Sequence, residues 1–390
     1  MFSPIRQDFL VFGKPRIEQD EIDEIVDSLR SGWLSTGPKV KKFEELFREY
    51  IGSKFAVALN SCTAGLHLAL LVVGVGRGDE VITTPMTFAA TANVIIHAGA
   101  KPIFVDVDKK TMNIDPELIE AKITPRTKAI IAVHFAGRPC KMDAIIDIAK
   151  KHDLIVIEDA AHAIEAIYQN RKIGTIGHIT VFSFYATKNL VTGEGGMVTT
   201  NNEEWARQIQ IMGLHGLSHD AWQRYSSKGF KHYEVVCPGF KYNMMDLQAA
   251  LGIHQIKRVE HYLKRREEIW KLYDENFVDL PVIIPAPVDT GDRHARHLYT
   301  LLIDIDALGV TRDEVRQRLY QENIGTGIHF TALHLHKYYR DTFGFRRGIF
   351  PNSEYISDRT ISLPLSAGLS DSDVEDVVSA VKKVLKDVQR

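Results

Sequence analysis

Between Phe55 and Thr200 the chain alternates short unbroken apolar runs with segments whose apolar residues recur at helical spacing. Phe55–Leu59, Glu80–Thr84, Pro102–Val107, Ala129–His134, Leu154–Glu158, Ile179–Phe184 and Met197–Thr200 read as strands. Ala64–Val73, Phe88–His97, Pro116–Ile123 and Met142–His152 read as helices. A strand that is apolar on both faces must be covered on both faces. Helices placed between such strands supply that cover. The pattern predicts an α/β fold with a mostly parallel central sheet and helices on both sides. Two amphipathic helices, Ile17–Leu29 and Val40–Ile51, precede it.

After Leu251 the texture changes. Gln255–Leu280 reads as one long helix rich in Lys, Arg and Glu, and Pro281–Pro287 as a proline-marked passage between domains. His297–Ile305 reads as a strand. Thr311–Glu322 reads as a helix opened by a capping box of Thr311 and Glu314, and Asp371–Val388 as a terminal amphipathic helix. A chain of 390 residues has room for about two domains at ~150 residues each. The division expected is a large domain, 1–255, and a small α+β domain, 256–390.

Charge and cysteine content exclude several classes. Lys plus Arg is 48 against 50 for Asp plus Glu, a net charge of −2, so no overall field draws the chain to nucleic acid or an anionic membrane. The three cysteines, Cys62, Cys140 and Cys237, have no CxxC spacing and give neither a disulfide framework nor a zinc knot. The longest apolar run, Leu66–Val75, is interrupted by His67 and is too short to span a bilayer. Met1–Lys14 lacks the pattern of a secretory leader. A cytoplasmic protein is expected.

Some motifs carry no chemistry. Gly74-Val-Gly-Arg-Gly78 has dinucleotide-loop spacing but follows a helix and enters a strand, the reverse of that motif's setting, so it reads as a turn. His215 with His219, and His329 with His334 and His336, are close in sequence, but no acidic partner stands at a metal-site spacing. No metal is expected.

Three other features bear on chemistry. Asp159 closes an apolar strand, at the end of an α/β sheet where ligands bind. It reads equally as a helix N-cap. Lys188 ends the stretch that begins at His178 and precedes Gly193-Glu-Gly-Gly196. A desolvated lysine is held neutral, and the neutral amine makes Schiff bases. The glycine run permits close backbone approach to a bulky group. Thr63 and Ala64 sit at a strand-to-helix turn, where free N–H groups favour a phosphate. Lysine, carboxylate and helix N-terminus together are what pyridoxal phosphate demands: one for its aldehyde, one for its pyridinium and one for its phosphate.

Asn60-Ser-Cys-Thr-Ala-Gly-Leu66, Glu158-Asp-Ala-Ala-His-Ala163, Phe182-Ser-Phe-Tyr-Ala-Thr-Lys-Asn189 and Gly193-Glu-Gly-Gly196 resemble the DegT/DnrJ/EryC1/StrS family of sugar aminotransferases. The likeness runs from about Phe12 to the last helix. Pro238–Asn243, Met244–Asp246 and Gly325–His329 look most like its UDP-4-amino-4-deoxy-L-arabinose–oxoglutarate aminotransferase branch. The resemblance implies the aspartate-aminotransferase fold type, pyridoxal 5′-phosphate as cofactor, glutamate as amino donor and a nucleotide-linked keto sugar as acceptor. It implies that Lys188 carries the cofactor and shuttles the proton, while Asp159 pairs with the pyridine nitrogen. His162 contacts the phenolic oxygen, Phe88 stacks on the ring, and Ser183 with Thr63 and Ala64 binds the phosphate. Asn243 would reach that phosphate from the other subunit of a homodimer. Trp33, Ser35, Thr36 and His329 would face the sugar nucleotide. Tyr185 stands where many relatives have histidine.

The favoured reaction is amino transfer to C4 of a UDP-4-keto sugar. A 3-keto sugar or a dTDP- or GDP-linked sugar is the alternative within that chemistry. A non-catalytic regulatory homologue and a histidine-based metalloenzyme are alternatives of other classes.

Overall fold

The computed structural model describes residues 4–218 and 233–388. Among the described residues, nine strands and six α-helices lie in the chain up to Gly213. The helices are α1 (Gln19–Ser31), α2 (Pro38–Ile51), α3 (Cys62–Val72), α4 (Ala89–His97), α5 (Met142–Lys151) and α6 (Glu203–Gly213). The strands are β1 (Phe55–Leu59), β2 (Glu80–Thr83), β3 (Lys101–Phe104), β4 (Thr127–Val133), β5 (Ile155–Asp159), the short pair β6 (Ile167–Tyr168) and β7 (Arg171–Lys172), β8 (Ile179–Ser183) and β9 (Gly196–Thr200).

Seven of them form one sheet in the order β1-β9-β8-β5-β4-β2-β3. Only β9 opposes its neighbours; the β8-β5-β4-β2-β3 run is parallel throughout. Apolar cores lie on both faces, one containing Ile82, Ile130, Val156 and Phe182, the other Val81, Ala129, Ile157 and Val181. Alternate residues of the same strands therefore feed opposite cores, as continuous apolar strands require. On the first face α2 packs Phe43 and Phe47 onto Phe184 and Phe182, with ring centroids 5.3 and 5.1 Å apart.

Two expected elements differ. Pro116–Ile123 is not one helix but two 3-10 turns, Pro116–Leu118 and Glu120–Lys122. Pro116 and Ile119 are buried while Leu118 is 42% exposed, so two side chains anchor the segment, too little to hold a short α-helix. The long helix, α7, runs Asp246–Phe277 and starts nine residues before the expected Gln255. Its N-cap is Met245, which gives no sequence signal; Gln248 supplies the cap by accepting the Met245 N–H at 2.9 Å. Gly252 obscured the pattern too. A Cβ there would lie 2.5 Å from the Phe43 ring, so the glycine lets α7 lie against α2.

The helix α7 joins two cores. Ala249, Ile253, Ile256 and Val259 belong to the first, and Ile269, Trp270, Tyr273 and Phe277 to a second. A three-stranded antiparallel sheet completes the second, β10 (Val282–Ile283), β11 (Tyr299–Ile303) and β12 (Thr360–Leu363), with helices Arg312–Gln321 and Asp371–Val388. The capping box of Thr311 and Glu314 is present. Ile5 and Leu10 pack on this second core, and Leu10 exchanges backbone hydrogen bonds with Asn323 and Gly325. Among the described residues no helix is long and apolar enough to cross a membrane.

Candidate active site

The parallel strands aim their carboxyl ends at one place. The residues that follow β1, β2 and β4, the last residue of β5, and the end of β8 with the turn after it line a cavity of about 590 Å3. Thr63, Phe88, His134, Asp159, Ser183 and Lys188 come from these five positions. His162, Tyr185 and His329 line it as well. Eight of the sequence-predicted residues are thus gathered by the fold from far-apart segments.

Lys188 reaches the cavity through a turn: its N–H bonds to the Tyr185 carbonyl at 2.8 Å. Enclosure by the cavity walls is the main influence on its amine and brings its pKa down to about 8. Among the described residues it has no salt-bridge partner. Asp159 is 5% exposed. Its Oδ1 accepts the Ala161 N–H at 3.2 Å. Burial pushes its pKa up, opposed by a hydrogen bond from the Thr91 hydroxyl, by that from Ala161 and by Lys188. The N-cap alternative for Asp159 does not hold: β5 is followed by turns, not by a helix.

His162 has a determined tautomer. Its Nδ1 accepts the Ala136 N–H at 3.2 Å, so the ring proton sits on Nε2. Burial, then the nearby Lys188 charge, holds its pKa well below the usual value and keeps it neutral. The same causes bring His329 down to about 3. His329 Nδ1 lies 2.8 Å from Ser362 Oγ.

The helix start of α3 is partly spent. Ser61 is its N-cap and its Oγ accepts the Ala64 N–H at 3.1 Å. Ala64 is buried and absent from the cavity wall, while Thr63 is exposed on it. The donors left for an anion are the N–H groups of Cys62 and Thr63. The glycine run serves the chain's own packing in part: a Cβ on Gly196 would lie 2.5 Å from Cys62 N, so β9 passes directly beneath the start of α3.

Trp33, Ser35, Thr36 and Asn243 lie elsewhere. Asn243 Nδ2 donates to Thr36 Oγ1 at 2.7 Å, and Thr36 Oγ1 donates to the Met244 carbonyl at 2.6 Å. The Ser35 carbonyl accepts the Asp246 N–H at 3.1 Å. Thr36 and Asn243 line a second cavity of about 430 Å3. Asn243 Oδ1 is buried and has no hydrogen-bond partner among the described residues. Trp33 is 43% exposed.

His329, His334 and His336 do not assemble into a metal site. His334 bonds Glu354 at 2.9 Å, His336 lies 3.3 Å from the Thr331 carbonyl, and His219 falls outside the described residues. Among the described residues no cluster of three or more His, Cys, Asp or Glu is placed to hold a metal. The sequence reading missed Thr87, Thr91 and Phe330 on the cavity wall. The threonines carried one usable signal, a four-residue spacing at a helix start directly after a strand.

The chain matches the DegT/DnrJ/EryC1/StrS aminotransferase family over residues 15–382, and it belongs to that family. It is 53% identical over 382 residues to the spore coat polysaccharide biosynthesis protein SpsC of Bacillus subtilis, covering 98% of each chain. Its fold matches the Streptococcus pneumoniae protein Spr1654 in PLP form at a TM-score of 0.90, with 35% identity, covering 97% of this chain and 99% of that one. It matches Helicobacter pylori PseC, an aminotransferase involved in the biosynthesis of pseudoaminic acid, at 0.90 with 29% identity, covering 98% of this chain and all of that one.

Proposed function

We propose that the chain is a pyridoxal phosphate-dependent sugar aminotransferase, moving an amino group from glutamate to a nucleotide-linked keto sugar. C4 of a UDP-4-keto sugar is the favoured acceptor. The supporting observation is the pairing of Lys188 and Asp159 in one cavity, each without an ionic partner among the described residues. A buried carboxylate without a cation is costly, and a protonated pyridine supplies the cation. SpsC and PseC, by name, serve polysaccharide and pseudoaminic acid biosynthesis, which supports a sugar acceptor.

Bound pyridoxal phosphate supplies an electron sink for the bonding pair left when a proton leaves the donor's α-carbon. The residues do the rest. Lys188 is the residue that would hold the cofactor by its aldehyde, and its Nζ, when free, would take the donor's α-proton. The enclosure that brings its pKa to about 8 keeps a usable fraction neutral near pH 7. Asp159 holds the pyridine nitrogen protonated. His162 donates Nε2–H to the phenolic oxygen, a role that fits the tautomer set by the Ala136 N–H at its Nδ1. Ser183 and the free N–H groups at the start of α3 hold the phosphate. Phe88, 64% exposed, offers a face for the ring.

Asn243 and Thr36 act, in this reading, at the partner's cavity in a homodimer. Their separation from the first cavity supports this. The sugar nucleotide would then contact Trp33, Ser35 and Thr36 of one chain and Tyr185 and His329 of the other.

The test is direct. The purified chain loaded with pyridoxal phosphate is expected to show a visible absorbance band that glutamate shifts to the near ultraviolet. Borohydride should fix the cofactor to Lys188, and Lys188→Ala should abolish both. Labelling at another residue, or no response to glutamate, would overturn the reading. Transfer of 15N from labelled glutamate, with NMR of the product, identifies the ring carbon.

A further inference from the structure

The carboxylate beneath the cavity is held from the side by a pair of hydroxyls on one helix start. Thr91 lies in the first turn of α4, and its Oγ1 donates to Asp159 Oδ2 at 2.7 Å. Thr87 Oγ1 stands 2.8 Å from Thr91 Oγ1. A hydroxyl has one proton to give. Thr91 gives its proton to an ionised acceptor, so Thr87 is the donor in the second bond. Both threonines are buried, at 2% and 1% exposure, and both line the cavity.

A threonine at a helix start commonly bonds its own backbone. Thr91 instead bonds a carboxylate from β5, which the helix does not require. Phe88, the N-cap of the same helix, opens on the cavity. One five-residue segment therefore supplies both the aromatic wall and the hold on Asp159. The N-terminus of α4 also favours a negative charge beside it.

We propose that Thr91, braced by Thr87, is a positioning residue that fixes the plane of the Asp159 carboxylate and keeps it ionised. What Asp159 then faces rests on the function proposed above; the hydrogen bonds do not. The charged and titratable groups facing Asp159 are Lys188 after β8, His134 after β4 and Cys62 at the start of α3. The first turn of α4 offers it the Thr91 hydroxyl. Burial works against the ionised form, and Thr91 is the largest influence opposing it. Without that hydroxyl the carboxylate should hold its proton to higher pH.

The experiment uses the full-length chain, stripped of cofactor, with 13C-carboxyl aspartate and D159N to assign the resonance. In T91V the Asp159 midpoint is expected to rise by about one pH unit, the size of a single charge-assisted hydrogen bond. T91S, which restores the hydroxyl, should return it to within a few tenths. T91A should shift like T91V and covers the case in which valine disturbs folding. T87V should give a smaller rise in the same direction. Equilibrium binding of pyridoxal phosphate should weaken by a few-fold in T91V, by no more than in D159N, and recover in T91S. An unmoved midpoint in T91V and T91A, or a T91S shift as large as that of T91V, would overturn the proposal. No shift in T87V would remove Thr87 from it. Failure of borohydride to label Lys188 would instead strike the proposed function and leave this titration intact.

Discussion

Lys188 and Asp159 share the wall of one cavity yet form no ion pair with each other. Enclosure disfavours the charge on both, lowering the pKa of the amine and raising that of the carboxyl. A chain selected only for stability would bring such groups together or replace them. Their separation is a cost to folding that function must justify, and it can be measured.

The cofactor-free chain should therefore be stabilised by Lys188→Met. The folded amine has a pKa of about 8 against 10.5 unfolded. Between those values the unfolded chain binds more protons, so this lysine's contribution improves as pH rises and is worst below 8. At pH 7 the variant is expected to gain up to about 3 kcal/mol. The gain should shrink through pH 8 and vanish near 10.5. Urea unfolding from pH 6.5 to 9.5 checks this, and a flat difference would refute it.

Asp159→Asn keeps an acceptor for Thr91 but removes the charge. Chemistry should suffer more than affinity. We expect kcat to fall by about 10²–10³, the scale of losing one preorganised electrostatic partner, and cofactor affinity by less than tenfold. Single-turnover rates with glutamate, beside equilibrium cofactor titration, separate the two. Equal losses would assign Asp159 a binding role alone.

The residues that the sequence brings to notice are those at strand ends, because strand order and direction decide where ends meet. Asp159 and Lys188 were legible from apolar runs that lead into a polar residue, whereas Ser183 came only from the family resemblance. Thr91 was not, since its meaning lies in a bond to a residue sixty-eight positions away. Ala64 was read as a free donor because the sequence does not show that Ser61 Oγ already takes its N–H. The start of α7 was hidden for a similar reason: its cap is a glutamine reaching back to a methionine. Periodicity reports burial well. It does not report which hydrogen-bond donors are already engaged.

Acid should unfold the chain through its buried neutral histidines. Burial holds His162, His294 and His297 well below their usual pKa. Below about pH 6.5 the unfolded chain takes up protons that the folded one does not, so stability falls as pH falls. Each such histidine contributes about 1.4 kcal/mol per pH unit in that range. His162→Gln, which keeps a side-chain donor, should reduce the slope by about that amount between pH 6.5 and 5. The same neutrality predicts that no limb of the kcat profile between pH 5 and 8 arises from His162. An unchanged slope in the variant would contradict the assigned protonation state.

Arg266 should be the most sensitive position outside the cavity. Its guanidinium pairs with Glu165, and the two are 2% and 0% exposed. The other Glu165 oxygen accepts Asn189 Nδ2 at 2.8 Å, and that nitrogen also donates to the Ala295 carbonyl at 2.9 Å. Asn189 Oδ1 can only accept, so His297 donates to it from Nδ1 at 2.9 Å. The residue after Lys188 is thus tied to α7 and to the segment leading into β11. Arg266→Met leaves a buried carboxylate without its cation and should cost about 3–5 kcal/mol at pH 7. Burial already raises the Glu165 pKa, and loss of the arginine raises it further, so the deficit should lessen as pH falls and the carboxyl takes a proton. Glu165→Gln added to Arg266→Met removes the stranded charge and should recover at least half of the loss. Urea unfolding of the four members of this cycle gives the coupling energy directly. A double variant no more stable than Arg266→Met would show that the arginine acts through packing, not through Glu165.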